Sequence, residues 1–125
     1  KLNQIANNNA NIIFVGRLEG EKLYAWYNIA ELFVLPSTQE AFGAVTNEAL
    51  IGGCTCLVSQ KAGSNCLIKK GENGYIFNPT NEKEFENILQ KSIGEITLRN
   101  YPLQLRKNKM IHTFNEYFKH LIDSL

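Results

Sequence analysis

The apolar positions of this chain fall into short continuous runs separated by segments with helical spacing. Four runs are typical of strands buried in a parallel sheet, because each is short and rich in branched or aromatic side chains. These predicted strands are residues 12–15, 32–35, 56–59 and 75–77. The predicted helices are residues 21–29, 44–52, 63–70 and 81–91, the third being only a short turn. Strands that alternate with helices indicate an α/β fold, with a parallel sheet covered by helices on both faces.

The spacing of apolar side chains also predicts which face of each helix is buried. In the first predicted helix, Leu23, Trp26 and Tyr27 form one stripe, so we expect it to pack on the sheet with Trp26 in the core. The second helix carries small residues that allow a close approach to the sheet. That stripe is Val45, Ala49 and Gly52. Asn81 is expected to cap the start of the helix over residues 81–91.

The end of the chain predicts a long amphipathic helix over residues 106–124, after a break at Pro102. Its apolar stripe consists of Ile111, Phe114, Phe118, Leu121, Ile122 and Leu125. We therefore divide the chain into a domain at residues 1–95 and a C-terminal helical segment at residues 96–125.

Charge and cysteine content narrow the class of protein. Thirteen basic and twelve acidic side chains give a net charge of +1 without a block of either sign, which argues against a nucleic-acid partner. Cys54, Cys56 and Cys66 fit neither a redox nor a common zinc pattern, so we expect reduced core thiols.

No apolar run reaches the roughly 18 residues of a membrane span, and we predict a cytoplasmic protein. His112 and His120 lack the spacing of a paired metal site, so no metal or cofactor is expected.

Two carboxylates bracket a glycine turn between the strand at 32–35 and the following helix. In open parallel sheets ligands bind at the carboxyl ends of strands, which is where Glu40, Gly43 and Glu48 would lie. The start of a helix presents free N–H groups that suit phosphate oxygens. We therefore expect a nucleoside diphosphate here, with the Thr46 hydroxyl as an extra donor. The expected ligand contacts are Phe42, Gly43, Ala44, Val45, Thr46 and Glu48.

The two carboxylates are expected to have different roles. Glu48, about one turn into the helix, is placed to accept both hydroxyls of a ribose. Glu40 lies on the other side of the phosphates, where it can hold sugar hydroxyls and stabilise an oxocarbenium-like centre. Taken singly, Glu40 would be a turn residue and Glu48 a solvated helix residue. Their position on both sides of Gly43 favours a functional pair.

Three residues after the first predicted strand belong to the same expected site. Gly16, Arg17 and Leu18 would lie at the carboxyl edge of the sheet and line a nucleobase pocket. Two interpretations of Arg17 stay open, a bidentate phosphate contact and a solvated surface charge, and a single Arg in a loop favours the second.

In this order, the residues resemble the donor-binding signature of the group 1 family of retaining glycosyltransferases with the two-domain GT-B fold. The resemblance runs from about residue 11 to residue 79 and consists of several ordered pieces. These are IIFVG at 12–16, YNIAELFVLPS at 27–37, the paired-glutamate motif at 40–49, GGCTCLVS at 52–59, AG at 62–63 and GENGYIF at 71–77. The chain departs from the family at Ala41, at Thr55 and at residues 64–66, where the family has glycine, proline and an acidic residue.

The resemblance implies a Rossmann-like, nucleotide-sugar-binding domain in which Glu40 is catalytic and contacts the donor sugar, while Glu48 contacts the ribose. It implies transfer of a hexose from a nucleoside diphosphate sugar to a glycan, lipid or sugar acceptor, with retention and without a metal. It also implies that an N-terminal acceptor domain is missing, so the chain is expected to be an excised fragment that is inactive alone. The alternative is a non-catalytic nucleotide-binding or interaction module with the same fold.

In the resembled family, the last helix leaves its own domain and lies against the other domain. Packing of the predicted helix at residues 106–124 against its own domain is equally open. A peripheral position at the inner face of a membrane is a third, less favoured place, because Glu116 and Asp123 dilute the partly basic face of the helix. A generic doubly wound nucleotide domain is not favoured, since the first strand is not followed by a Gly-x-Gly-x-x-Gly pattern and no phosphate loop is present.

Overall fold

The computed structural model describes residues 2–7, 9–96, 107–111 and 114–124, which form a three-stranded sheet and its surrounding helices. The strands are β1 (Leu32–Leu35), β2 (Thr55–Ser59) and β3 (Gly74–Phe77). The helices are α1 (Leu2–Ala6), α2 (Gly20–Ile29), α3 (Val45–Ile51), α4 (Glu82–Glu95) and α5 (Phe114–Asp123), with a 3₁₀ helix at Gly63–Leu67.

The sheet is parallel and its order is β1-β2-β3. Leu35 pairs with Val58, and Ser59 pairs with Phe77, so all three strands end at the same edge. β2 is central and four of its five residues are buried, which explains its continuous apolar sequence. The predicted α/β fold with a parallel sheet is confirmed, as are three of its four predicted strands.

The two faces of the sheet carry separate apolar cores. Cys56 and Val58 of β2 point to the face covered by α2 and α3, where they pack with Tyr27 and Leu50. Leu57 points to the opposite face and packs with side chains of β3 and α4. Helices on both faces were predicted from the alternation of elements. The predicted cap of α4 is also present, since the Asn81 side chain accepts a hydrogen bond from the Glu84 N–H at 3.1 Å.

The predicted strand at residues 12–15 is wrong, because the described structure has no strand there. Its side chains Ile12, Ile13, Phe14 and Val15 are 43–71% exposed. A strand exists only where its backbone N–H and C=O groups pair with a neighbour. The described sheet ends at β1, and none of its strands pairs with this segment.

Several burial predictions also need correction. Trp26 is 39% exposed, whereas its neighbour Tyr27 is only 7% exposed and occupies the core. Cys66 is exposed, while Cys54 and Cys56 are buried as expected. In α3 the buried side chains are Thr46, Ala49 and Leu50, and Val45 is 36% exposed. Ala49 and Gly52 are therefore buried as predicted, and only Val45 of the predicted stripe lies outside it. Thr46 and Leu50 are buried in addition, because the helix packs between the sheet and α2.

The predicted C-terminal helix is wrong at its start, because residues 107–110 are not helical and α5 begins at Phe114. The Asn108 side chain accepts a hydrogen bond from the Met110 N–H at 2.8 Å, a local turn that competes with helix formation. Pro102, His112 and the side chains of Phe114, Phe118 and Leu121 lie outside the described residues, and so does the side chain of His120. The domain division at residue 95 stays a prediction.

Residues 107–110 instead anchor the C-terminal segment to the domain. The Lys109 N–H donates to the Leu50 carbonyl at 2.9 Å, and the Lys109 Nζ donates to Thr55 Oγ1 at 2.7 Å. The Asn73 side chain donates to the Lys109 carbonyl at 3.2 Å, and Met110 packs against the core. Among the helices of the described ranges, none is both long enough and apolar enough to cross a bilayer.

Candidate functional site

The loop that follows β1 is fixed at the carboxyl edge of the sheet by the loop that follows β2. The Glu40 N–H donates to the Lys61 carbonyl at 3.2 Å, and the Gly63 N–H donates to the Glu40 carbonyl at 3.1 Å. Together they form an isolated parallel bridge between Glu40 and Ala62. The backbone of Glu40 is therefore held by the same type of pairing as the strands, and its half-buried side chain starts from a fixed position.

Gly43 shapes the turn between this loop and α3. Its φ is +85°, a conformation that L side chains rarely adopt. A Cβ at this position would lie 2.9 Å from both Leu35 Cδ2 and Ser64 Oγ, and 3.3 Å from Glu40 Cγ. The side chain of Glu40 therefore lies directly against Gly43.

Thr46 ties α3 to the 3₁₀ helix. Its hydroxyl lies 2.8 Å from the Ser64 hydroxyl, and both side chains are fully buried. The Ser64 N–H donates to the Phe42 carbonyl at 2.5 Å, and the Thr46 N–H donates to the Gly43 carbonyl at 3.0 Å. The Thr46 hydroxyl is therefore engaged with Ser64 inside the fold, and its role as a phosphate donor stays a prediction.

The remaining residues of the predicted contact set are open to solvent. Phe42 is 46% exposed and Val45 is 36% exposed, and Ala44 between them is also exposed. Their backbone lies where α3 begins, and the first N–H groups of a helix have no acceptor within the helix. This exposed surface beside Glu40 is where a ligand can reach the protein.

Glu48 lies on α3 and interacts with Tyr27 of α2. Burial, the negative charge of Glu48 and a hydrogen bond to its carboxylate raise the pKa of Tyr27 to about 12. Glu48 is half-buried, and its Oε2 has no hydrogen-bond partner in the described part of the chain. The Asn47 Oδ1 beside it is buried and unpaired in the same way. Sequence reasoning placed Tyr27 in an apolar stripe and missed its hydroxyl, for which a periodicity argument has no signal.

The structure does not bring Gly16, Arg17 and Leu18 to the carboxyl edge through a strand. Gly16 has a φ of +70° and a Cβ there would meet nothing within 4 Å. The Arg17 side chain is 88% exposed and forms an ion pair with Glu19 at 2.6 Å. The strand on which this placement depended is absent from the described residues, because residues 12–15 have no strand partner there. Arg17 has the solvated position that was its alternative, and the nucleobase pocket stays a prediction.

The described residues contain no group of three or more His, Cys, Asp or Glu side chains able to hold a metal ion. Burial and the neighbouring Cys54 raise the pKa of Cys56 to about 12. Its thiol therefore stays protonated near neutral pH, as a core residue rather than a nucleophile.

Comparison with known proteins identifies the family. A family model described as glycosyl transferases group 1 matches residues 1–108. A sulfoquinovosyl transferase from Arabidopsis thaliana is 33% identical over 70 residues, which are 54% of this chain and 14% of that protein. A UDP-Gal:alpha-D-GlcNAc-diphosphoundecaprenol alpha-1,3-galactosyltransferase from Escherichia coli is 31% identical over 86 residues, which are 69% of this chain and 22% of that protein.

A solved structure agrees with the sequence comparisons. Sucrose-phosphate synthase from Thermosynechococcus elongatus superposes with a TM-score of 0.67 and 29% identity, over 75% of this chain and 24% of that protein. The chain thus spans a quarter or less of the length of these three relatives. The resemblance drawn from the paired glutamates is confirmed: the chain belongs to the group 1 family of glycosyltransferases, and its parallel sheet is part of a Rossmann-like half of the GT-B fold.

Proposed function

We propose that this chain is part of the nucleotide-sugar-binding half of a retaining glycosyltransferase. The whole enzyme would transfer a hexose from a nucleoside diphosphate sugar to a glycan, lipid or sugar acceptor. One observation carries the proposal: Glu40 is fixed by backbone pairing to Ala62 and lies against the Gly43 turn, next to exposed backbone at the start of α3. The name of the Escherichia coli galactosyltransferase, which includes UDP-Gal, supports a nucleoside diphosphate sugar as the donor class.

In this proposal the parts of the site have separate tasks. Glu40 accepts hydroxyls of the donor sugar and stabilises positive charge that develops at its anomeric carbon. The backbone at Gly43, Ala44 and Val45 receives the diphosphate, where N–H groups and a glycine allow close approach. Glu48 accepts hydroxyls of the ribose. Thr46 has no ligand contact in this proposal, because its hydroxyl bonds to Ser64 and joins α3 to the 3₁₀ helix.

The leaving diphosphate is stabilised, in this proposal, by oriented backbone dipoles and by basic groups. No metal or other cofactor takes part in the proposed reaction. An N-terminal domain supplies the acceptor site and completes the donor pocket, so we propose that this chain alone has no transferase activity. We further propose a cytoplasmic enzyme with peripheral contact to the inner face of a membrane when the acceptor is a lipid.

The first test is an amide NMR titration of the chain with UDP, GDP and ADP, repeated with Glu48→Ala. We expect one nucleotide to shift the resonances of residues 43–48 to saturation. Loss of a hydrogen bond to a charged group should weaken that binding about tenfold in Glu48→Ala. Glu82→Ala is the matched control, because Glu82 is exposed on α4, which covers the opposite face of the sheet.

The titration separates a nucleotide-binding site at residues 43–48 from an interaction module that binds no nucleotide. Shifts at residues 43–48 that Glu82→Ala retains and Glu48→Ala weakens support the donor site. A folded chain that shows no shift with any of the three nucleotides contradicts a nucleotide site formed by this chain alone and favours an interaction module with the same fold.

A further inference from the structure

Tyr27 is held in place by contacts on several sides. Its backbone carbonyl accepts a hydrogen bond from Cys54 Sγ at 3.2 Å. Its ring meets the ring of Phe33 edge-on, with centroids 5.9 Å apart. Gly52 approaches so closely that a Cβ there would lie 2.7 Å from Tyr27 Cβ. A ring fixed in this way presents its hydroxyl at one defined point between α2 and α3.

At that point the Tyr27 hydroxyl donates a hydrogen bond to the carboxylate of Glu48. The carboxylate is only partly satisfied, since its Oε2 is buried without a partner in the described residues. An oxygen in this state is costly unless it receives a donor. Sugar hydroxyls are donors of the right kind, and a ribose carries two next to each other.

We propose that Tyr27 is a positioning residue of the ribose site, whose hydroxyl anchors the Glu48 carboxylate and leaves Oε2 to accept a ribose hydroxyl. The inference rests on the proposed function, because it takes Glu48 as the ribose contact. The Glu48 Oε2 is buried in this conformation. A ribose hydroxyl therefore reaches it after the carboxylate rotates about the Cγ–Cδ bond of Glu48. Such terminal torsions have broad and shallow profiles, and an anchor on one oxygen limits the rotation without preventing it.

The test compares ribonucleotides with their 2′,3′-dideoxy analogues in wild-type protein, Tyr27→Phe and Tyr24→Phe. The probes are UDP, GDP and ADP, each beside its dideoxy form, and the readout is the dissociation constant from the amide titration. We expect Tyr27→Phe to weaken the ribonucleotide about five- to tenfold and to leave the dideoxy form unchanged. A purely structural role would weaken both forms alike. Tyr24→Phe is the matched control, since Tyr24 lies on the same helix and is 53% exposed.

The outcomes separate this inference from the function on which it rests. If wild-type protein prefers the ribonucleotide and Tyr27→Phe keeps that preference in full, Tyr27 is not a positioning residue and the donor site stands. If wild-type protein shows no preference for the ribose hydroxyls, the role of Glu48 fails and the role of Tyr27 fails with it.

A second readout uses wild-type protein alone and does not depend on the folding of Tyr27→Phe. The ring resonances of Tyr27 should shift when the ribonucleotide saturates the site and stay in place with the dideoxy form. Equal shifts with both forms would overturn the inference.

Discussion

Gly43 shows how a single residue sets the shape of this site. Its positive φ turns the chain into α3, and the absence of a Cβ leaves room for Leu35, Ser64 and the side chain of Glu40. Any L residue at this position would have a strained backbone conformation and close Cβ contacts at the same time. The fold alone therefore requires glycine at this position, apart from any ligand bound by the proposed site.

We predict that Gly43→Ala lowers the free energy of unfolding by about 1–3 kcal/mol, because of backbone strain and crowding. Gly94→Ala is the matched control with the opposite sign. Gly94 lies in α4 with open space around its Cα, so an added methyl should stabilise the helix by about 0.5 kcal/mol. Urea denaturation measures both variants, and a Gly43→Ala protein as stable as wild type would contradict the prediction.

At the same scale, the sequence predicted Glu40 and Gly43 as neighbours but not the surroundings of Thr46 and Glu48. The first pair is three residues apart around one turn, so local geometry decides its contact. The Thr46 partner, Ser64, is 18 residues away, and the Glu48 partner, Tyr27, lies on another helix. Contacts between elements depend on packing that spacing alone does not specify.

At the scale of elements, the predicted strands divide according to their neighbours. β1, β2 and β3 were predictable because each apolar run has a partner strand in the described sheet. Residues 12–15 have an equally apolar sequence but no partner there, and they form no strand. A hydrophobic sequence alone is therefore insufficient for a strand, since backbone pairing decides whether it forms.

The start of the predicted C-terminal helix is not helical for a different reason. Residues 107–110 lie within the helix predicted over residues 106–124, yet Lys109 binds Leu50 and Thr55 and ties the segment across the domain. Tertiary hydrogen bonds with distant residues outweigh local helix propensity, which is a weak preference.

We predict that Lys109→Met lowers the free energy of unfolding by about 0.5–1.5 kcal/mol, because it removes the hydrogen bond from Nζ to Thr55 while keeping an apolar side chain of similar length. Lys107→Met is the matched control on an exposed side chain of the same segment, and it should change stability by less than about 0.5 kcal/mol. Chemical denaturation of the two variants side by side is the measurement. Equal stability of the two would show that the Lys109 contact contributes nothing in solution.

At the scale of the whole molecule, two buried groups make the free energy of unfolding vary with pH in the alkaline range. Folding raises the pKa of Cys56 from 9.0 to about 12, mainly by burial. It raises the pKa of Tyr27 from 10.0 to about 12, by burial and by the charge of Glu48. A raised pKa in the folded state favours the protonated form, so its stabilisation is complete below the unfolded pKa and is lost as pH rises toward the folded pKa.

We therefore predict that stability falls between about pH 9 and pH 12, as the unfolded chain releases protons that the folded chain retains. Tyr27→Phe should reduce the loss of stability above pH 10, and the loss that is due to Cys56 should remain. Urea midpoints across this range provide the check. If the urea midpoints of wild type and Tyr27→Phe fall with the same slope above pH 10, Tyr27 does not contribute to the loss of stability.

The bridge between Glu40 and Ala62 has a consequence for how donor preference can change during evolution or engineering. Three backbone hydrogen bonds join the loops after β1 and β2, from Glu40 to Lys61, from Gly63 to Glu40 and from Ser64 to Phe42. If Glu40 holds the donor sugar as proposed, a substitution in the second loop shifts its position without altering its side chain. In that case donor specificity can change through residues 61–64 while the paired glutamates themselves stay unchanged.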